Sequence, residues 1–287
     1  MISENKNFFF CIGVQKSGTT WLYEALKGHP QLQMPPIKEL HFFDEIERQK
    51  GISKVFSTPE KRSYLSIQRS KSFQRYLKGR GSLWEFLYYC IPRRYSCIGL
   101  YKSMFKQGLC GDITPSYSCL SLQSIRRIRK DFRDLKVLLI LRNPIDREWS
   151  QIKMDVHRNN YNEEQKKSLM KEWSLAHNVR SDYFTIIKNW TSVFHDDEIL
   201  ICYYDLLASD PHTFLARIYE FLAVEEFYPE KVLKQRIFTG LNQSIPDEIR
   251  VNLAKKHIPM LSSLLGIRGV DQLIIDKWLT SAKSTMK

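Results

Sequence analysis

The run Phe8-Phe9-Phe10-Cys11-Ile12-Gly13 is long enough for a buried strand, and it breaks at once into Val14-Gln15-Lys16-Ser17-Gly18-Thr19-Thr20. Beyond Trp21, an apolar pattern resumes with Leu22, Ala25 and Leu26 at helical spacing. Strand, glycine turn and helix start, in that order, leave several backbone N–H groups aimed at one point. The helix dipole adds partial positive charge there, so the turn is a seat for a phosphate or sulfate. A chain with this segment is expected to build a parallel sheet around it.

The position of the lysine narrows the anion. A nucleoside-triphosphate loop reads G-x-x-x-x-G-K-[ST], with the lysine directly after the second glycine and a hydroxyl for magnesium. Gly13 and Gly18 keep that glycine spacing, but Thr19 stands at the lysine position and the lysine is Lys16, inside the loop. The arrangement cradles an anion and sets one cation beside a bridging oxygen, without the usual ATP–magnesium geometry. Gln15-Lys16-Ser17-Gly18-Thr19-Thr20-Trp21 resembles the 5'-phosphosulfate loop of sulfotransferases, which use 3'-phosphoadenosine 5'-phosphosulfate (PAPS).

Two further apolar runs, Lys136 to Leu141 and Glu198 to Tyr204, have the length and β-branched content of buried parallel strands. Amphipathic stretches lie around them, at Leu120 to Asp131, Pro144 to Arg158, Asp182 to Phe194, Pro211 to Leu222 and Asp247 to Leu264. Asn143 before Pro144, and Asp210 before Pro211, are set to cap helix starts. Strands alternating with helices imply an α/β fold with a central parallel sheet covered on both faces. No repeat, low-complexity tract or Gly/Ser/Pro linker divides the 287 residues, so a single domain over 1–287 is expected. The resemblance implies the nucleotide-kinase-like P-loop fold of sulfotransferases.

Charge is uneven along the chain. Between Glu45 and Lys106 there are 14 Lys or Arg and four Glu, so this segment carries +10 of the net +13. Lys61, Arg62, Arg69, Lys71, Arg75, Lys78 and Arg80 crowd together, and Trp84, Phe86, Tyr88, Tyr89 and Tyr95 come after them. Basic residues with aromatics nearby suit an acidic saccharide or nucleic acid, and also a solvated insertion whose aromatics pack on the core. We take 45–106 as a basic, acceptor-facing insertion. The six cysteines form no C-x-x-C pair; Cys90 and Cys97 are near enough in sequence to bridge, but reduced thiols in a cytoplasmic protein are the expectation. No targeting or membrane-spanning segment is legible.

Arg142 emerges from the end of the second run, in Leu141-Arg142-Asn143-Pro144-Ile145-Asp146-Arg147-Glu148-Trp149-Ser150. In doubly wound sheets that edge is where ligands bind, and a guanidinium donates two hydrogen bonds at once to a phosphate. The segment is similar to the sulfotransferase 3'-phosphate motif, whose Arg and Ser are eight residues apart, as Arg142 and Ser150 are.

Pro36-Ile37-Lys38-Glu39-Leu40-His41-Phe42-Phe43-Asp44 resembles the Lys-Glu-x-x-Phe-Phe segment of heparan-sulfate-type and related bacterial sulfotransferases. There the glutamate is the proposed general base, a role that maps to Glu39. His41 is the rival base, since imidazole titrates near neutrality; Glu39 is preferred. Gly111-Asp112-Ile113-Thr114-Pro115-Ser116-Tyr117 is related to a Gly-Glu-x-(Thr/Ser)-Pro-x-Tyr pattern, with Asp112 for the glutamate and Ile113 where the glycosaminoglycan enzymes carry lysine. Leu241-Asn242-Gln243-Ser244 adds a weak likeness near the C-terminus.

The resemblance implies an enzyme that moves the sulfuryl group of PAPS to a hydroxyl or amine, with an anionic saccharide or glycoconjugate as the favoured acceptor. Gln15, Lys16, Ser17, Gly18, Thr19, Thr20 and Trp21 would hold the 5'-phosphosulfate, the Trp21 ring would flank adenine, and Arg142 and Ser150 would hold the 3'-phosphate. Lys16 would meet the charge growing on the leaving oxygen and Glu39 would take the acceptor's proton, so no metal is called for. The alternatives are a kinase or ATPase with a degenerate loop, which requires an acidic magnesium ligand where Arg142 stands, and a basic nucleic-acid-binding protein, which leaves both anion motifs unexplained.

Overall fold

A computed structural model of the chain describes residues 6–51, 64–79, 83–90, 93–157, 161–234 and 244–286. Its centre is a sheet of five parallel strands: β1 (Lys6–Gly13), β2 (Leu32–Gln33), β3 (Gly108–Ile113), β4 (Lys136–Leu141) and β5 (Ile199–Tyr203), in the order β2-β3-β1-β4-β5. The three apolar runs form β1, β4 and β5. Alternate side chains of each strand enter opposite cores, as a period of two requires. Phe8, Phe10, Ile12, Val137, Leu139, Leu141, Ile199 and Ile201 join one core; Phe9, Cys11, Leu138, Ile140 and Cys202 join the other. Each such ring or branched side chain contributes about 1.5–3 kcal/mol relative to exposure, so β1, buried from Phe8 to Gly13, is the strand the fold can least lose.

Helices cover both faces. The first core is closed by α2 (Phe43–Gln49), α6 (Leu122–Asp131), α7 (Pro144–His157), α9 (Tyr183–Thr191), α13 (Asp247–Ser263) and α14 (Gln272–Ser284). The second is closed by α1 (Thr19–Lys27) and α11 (Pro211–Leu222). Between α2 and β3 come α3 (Tyr64–Leu77), α4 (Leu83–Cys90) and α5 (Ile98–Ser103); α8 (Glu163–Leu175), α10 (Tyr204–Ser209) and α12 (Glu230–Leu233) complete the set among the described residues. The helix signals read from sequence hold at the predicted caps. Asn143 Oδ1 accepts from Ile145 N at 3.0 Å as α7 begins, and the Asp210 carboxylate accepts from Thr213 N at 3.1 Å at the start of α11.

The sheet order places the site. The chain builds β2 and β3 on one side of β1, then crosses to β4 on the other. That reversal opens a crevice beyond the C-terminal ends of β1 and β4. Val14 N donates to Ile140 O at 2.7 Å, so the loop after β1 leaves level with the end of β4. Gly13 has to be glycine at this exit. Its φ is 134°, and a Cβ would lie 2.7 Å from the Pro115 carbonyl oxygen. Gly13→Ala is expected to cost on the order of 2–4 kcal/mol from strain and overpacking, read as a fall in the urea midpoint. An unchanged midpoint would mean that the turn at Pro115 yields freely.

All six cysteines are free thiols, Cys90 and Cys97 included. Among the described residues no helix is long and apolar enough to cross a membrane. Lys54, Lys61, Arg62 and Arg80 of the basic segment, and Leu241, Asn242 and Gln243, lie outside the described residues.

Candidate active site

Residues 14–18 form the loop between β1 and α1. Ser17 Oγ donates to Val14 O at 2.5 Å, closing the turn from within, and Gly18 enters α1 with φ 84°. A Cβ on Gly18 would lie 2.4 Å from Leu207 Cδ2 of α10, so the backbone here is pressed against α10 and needs the left-handed freedom of glycine. The first turn of α1 has no side-chain cap and no acidic residue. Its amide N–H groups and the positive end of its dipole are therefore left for an anion. Trp21 is buried, its indole N–H donating to Val232 O at 3.2 Å and its ring edge-on to Phe214.

Arg142 comes directly after β4 and reaches across the crevice to this loop. Its Nη1 donates to the Lys16 carbonyl at 2.8 Å, its guanidinium lies over the Tyr204 ring at 4.4 Å, and Tyr183 Oη donates to its carbonyl at 2.7 Å. Those contacts fix a half-buried cation at the mouth of the loop. Lys16 Nζ lies 3.4 Å from Met154 Sδ of α7. Ser150 is one helical turn before Met154, on the same side of that helix. The two anion motifs, 126 residues apart in sequence, thus meet at one sheet edge. Lys153 brings another cation: burial and the nearby Arg142 charge both lower its pKa, and Asp146 only partly offsets them.

A second group comes in from the β3 side. Gln15 Nε2 donates to Ser116 Oγ at 3.3 Å, which joins the loop to the turn Pro115–Cys119. From that turn the Tyr117 hydroxyl accepts from Phe42 N at 3.0 Å and donates to Asp112 at 2.9 Å. Asp112 also accepts from Tyr101 at 2.8 Å and Thr114 at 2.6 Å. Burial raises this carboxyl to about 6, against the pull of its three hydroxyl donors. Fully enclosed, it orients Tyr117 and through it the Lys38–Asp44 segment; it does not face the crevice solvent.

That segment holds a row of charges. His41 Nδ1 lies 2.6 Å from Asp44 Oδ2 and His41 Nε2 lies 3.4 Å from Glu39 Oε2, while Lys38 Nζ is paired with Glu39 Oε1. Burial opposes the charge on His41, but Asp44 and then Glu39 outweigh it and raise the imidazole to about 10. Burial likewise favours neutral Glu39, yet the His41 hydrogen bond and the Lys38 charge bring it down to about 2. The Glu39 side chain stays 29% exposed, against 10% for His41, so of the two it is the one an incoming molecule can touch. Asp44 is the member that sequence reasoning missed. Its signal was a carboxylate three residues after His41, in the first turn of α2.

Backbone strain picks out the same residues. Four non-glycine residues among those described have positive φ, and three of them are Lys16 (71°), Glu39 (63°) and His41 (49°). Such conformations cost of order 1–3 kcal/mol each and gather where function requires a fixed geometry.

Comparisons with known proteins identify the family and the fold. The model of the sulfotransferase domain family matches residues 7–244. The fold is similar to that of a sulfotransferase from Alicyclobacillus acidocaldarius, with TM-score 0.63 and 20% identity over 93% of this chain and 98% of that one. It is also similar to mouse sulfotransferase SULT7A1, solved in complex with PAP, with TM-score 0.52 and 13% identity over 96% and 90% of the two chains. No curated protein matches the chain in sequence. The family match takes in the loop, the Lys38–Asp44 segment and the Arg142 motif together, and the chain belongs to the PAPS-dependent sulfotransferase family.

Proposed function

We propose that this enzyme transfers the sulfuryl group of PAPS to a hydroxyl or amine of a saccharide or glycoconjugate acceptor. The observation that carries the reading is the 2.8 Å hydrogen bond from Arg142 to the Lys16 carbonyl, which joins the two anion motifs into one cradle. Residues Gln15 to Trp21 and the uncapped start of α1 would hold the 5' end of the cofactor, and Arg142 with Ser150 its 3'-phosphate. The residues fit such a group: an open helix start without acidic neighbours, Gly18 where a side chain would collide, and cations on two sides. When bound, PAPS supplies the sulfuryl group and a phosphate leaving group.

The protein's own part is electrostatic and positional. Lys16, held at the strained centre of the loop, keeps a positive charge where negative charge grows, and preorganised charge of this kind is usually the largest catalytic term. Glu39 is the base. It is exposed enough to meet the acceptor's proton, and its second oxygen is held by His41. His41, clasped between Asp44 and Glu39, is hydrogen-bonded to Asp44 and ion-paired with Glu39, and as an imidazolium it orients Glu39. The six free thiols fit a reducing compartment such as the cytoplasm.

Calorimetric titration tests the cofactor. 3',5'-Adenosine bisphosphate is expected to bind at least tenfold more tightly than ATP with magnesium. The reverse order would replace sulfuryl transfer with a kinase or ATPase activity.

A further inference from the structure

The basic segment keeps a feature that sulfuryl transfer does not use. Helices α3 and α4 pack as a hairpin, with Phe73 and Phe86 rings 5.1 Å apart and Arg75 paired with Glu85. Among the described residues ten large hydrophobic side chains are exposed, and five sit on this hairpin: Phe73 (43%), Tyr76 (41%), Leu77 (67%), Leu83 (45%) and Leu87 (42%). Single exposed apolar residues are ordinary, but half of them gathered on two short helices make a patch, and patches mark interaction surfaces.

The same hairpin is strongly cationic. Arg69, Lys71 and Arg75 on α3 and Lys78 just after it are all exposed, and the one acidic partner, Glu85, is taken by Arg75. Lys71, Arg75 and Lys78 recur at helical spacing with Gln68 and Gln74, and together these five line a shallow hollow of about 350 Å³. Cations and amide donors around the hollow, with Phe73, Tyr76 and Leu77 on the other side of α3, match the polar and apolar layers of a lipid surface. Phosphate headgroups meet the hollow, and acyl chains take the apolar residues. A second copy of the chain would bring the same positive charges against these, which repel. A soluble polyanion uses the cations but leaves Leu77, Leu83 and Leu87 in water.

We propose that the α3–α4 hairpin docks the enzyme onto an anionic bilayer surface, Lys71 and Lys78 meeting headgroup phosphates and Leu77 and Leu83 entering the acyl boundary. The hairpin is rooted at the candidate site. Tyr88 Oη donates to the Leu40 carbonyl, the Arg93 guanidinium stacks over the Tyr88 ring at 4.3 Å, and Tyr89 is within electrostatic reach of both Arg75 and Glu39. Docking therefore sets Glu39 close to the membrane plane, where an acceptor carried by a lipid would be found.

Sedimentation of the whole protein with vesicles tests this without reference to catalysis. The probes are phosphatidylcholine vesicles with and without phosphatidylglycerol. Binding is expected only to the anionic vesicles, and to weaken with salt. Lys71→Gln with Lys78→Gln should weaken it about 25-fold, from ~1 kcal/mol for each basic residue at an anionic surface. Leu77→Ser with Leu83→Ser should weaken it by about tenfold for each leucine withdrawn from the boundary. Both pairs are exposed, and unchanged bisphosphate binding confirms that each variant is folded. Absence of binding to anionic vesicles at low salt overturns the proposal. So does binding that needs the lysines but ignores the leucines, which would assign the stripe to a soluble polyanion or an acidic protein.

Discussion

Arg142→Ala is expected to weaken binding of 3',5'-adenosine bisphosphate by about 100-fold or more. A guanidinium–phosphate pair is charge-assisted and can be bidentate, and hydrogen bonds to charged groups are worth about 1.5–3 kcal/mol each. The side chain also orders the receiving loop, because it donates to the Lys16 carbonyl and stacks on Tyr204. Two losses are therefore combined in one variant, and Arg142→Lys separates them. Lysine keeps the charge but not the planar fork, so its affinity should fall between wild type and alanine. Ser150→Ala, which removes a neutral donor, should cost about tenfold or less. Calorimetry reads all three. If Arg142→Ala binds the bisphosphate as wild type does, the 3'-phosphate lies elsewhere and the pairing of the two motifs is only structural.

Much of this was legible because the site sits on the parts of the chain with the strongest patterns. Strands β1, β4 and β5 announce themselves as apolar runs, being buried on both faces, and the loop and Arg142 stand directly after two of them. Strand β3 was not legible. It reads Gly-Leu-Cys-Gly-Asp-Ile, with one residue of its run a buried carboxylate, and it is a strand because β1 pairs with it from Lys6 to Cys11. Strand β2 is two residues long and has no period to detect. Helix α8 was missed although its capping box, Asn162 with Gln165, stands in the sequence; its buried face is narrow, Met170 and Ser174.

The tertiary relations were hidden for a different reason. That His41 is held between Glu39 and Asp44 depends on two left-handed residues in succession around Leu40, which no propensity favours. Asp112 stands in sequence where the related pattern has glutamate. The fold shows it as a buried anchor for Tyr117, a role set by β3 lying beside β1. The loop and the Arg142 segment are each local patterns and so are readable, whereas the shape of the Lys38–Asp44 segment rests on left-handed residues and on Tyr117, from a distant turn, accepting from Phe42 N.

Glu39→Gln is expected to lower kcat by about 10²–10⁴-fold, the usual contribution of a general base, while bisphosphate affinity stays within about twofold. Glutamine keeps the size but sets an amide N–H₂ where one carboxylate oxygen accepted, so it gives up the Lys38 or the His41 contact along with proton transfer, and the unchanged bisphosphate affinity separates that local loss from damage to the cofactor cradle. The pH profile distinguishes the two candidate bases. Glu39 is held at about 2 and His41 at about 10, so both stay charged between them, and wild-type kcat/KM should be flat across neutrality as far as these groups decide it. Asp44→Asn removes the charge that most favours the imidazolium. His41 then titrates at lower pH, Glu39 loses the imidazolium charge beside it above that point, and a downward bend toward alkaline pH should appear. A wild-type break near pH 6.5 that vanishes in His41→Asn, with Glu39→Gln still active, would make His41 the base and reduce Glu39 to its partner. Because the same two carboxylates flank one imidazole in either case, only the direction of the proton distinguishes the readings, and the Asp44 variant reports that direction without touching either candidate.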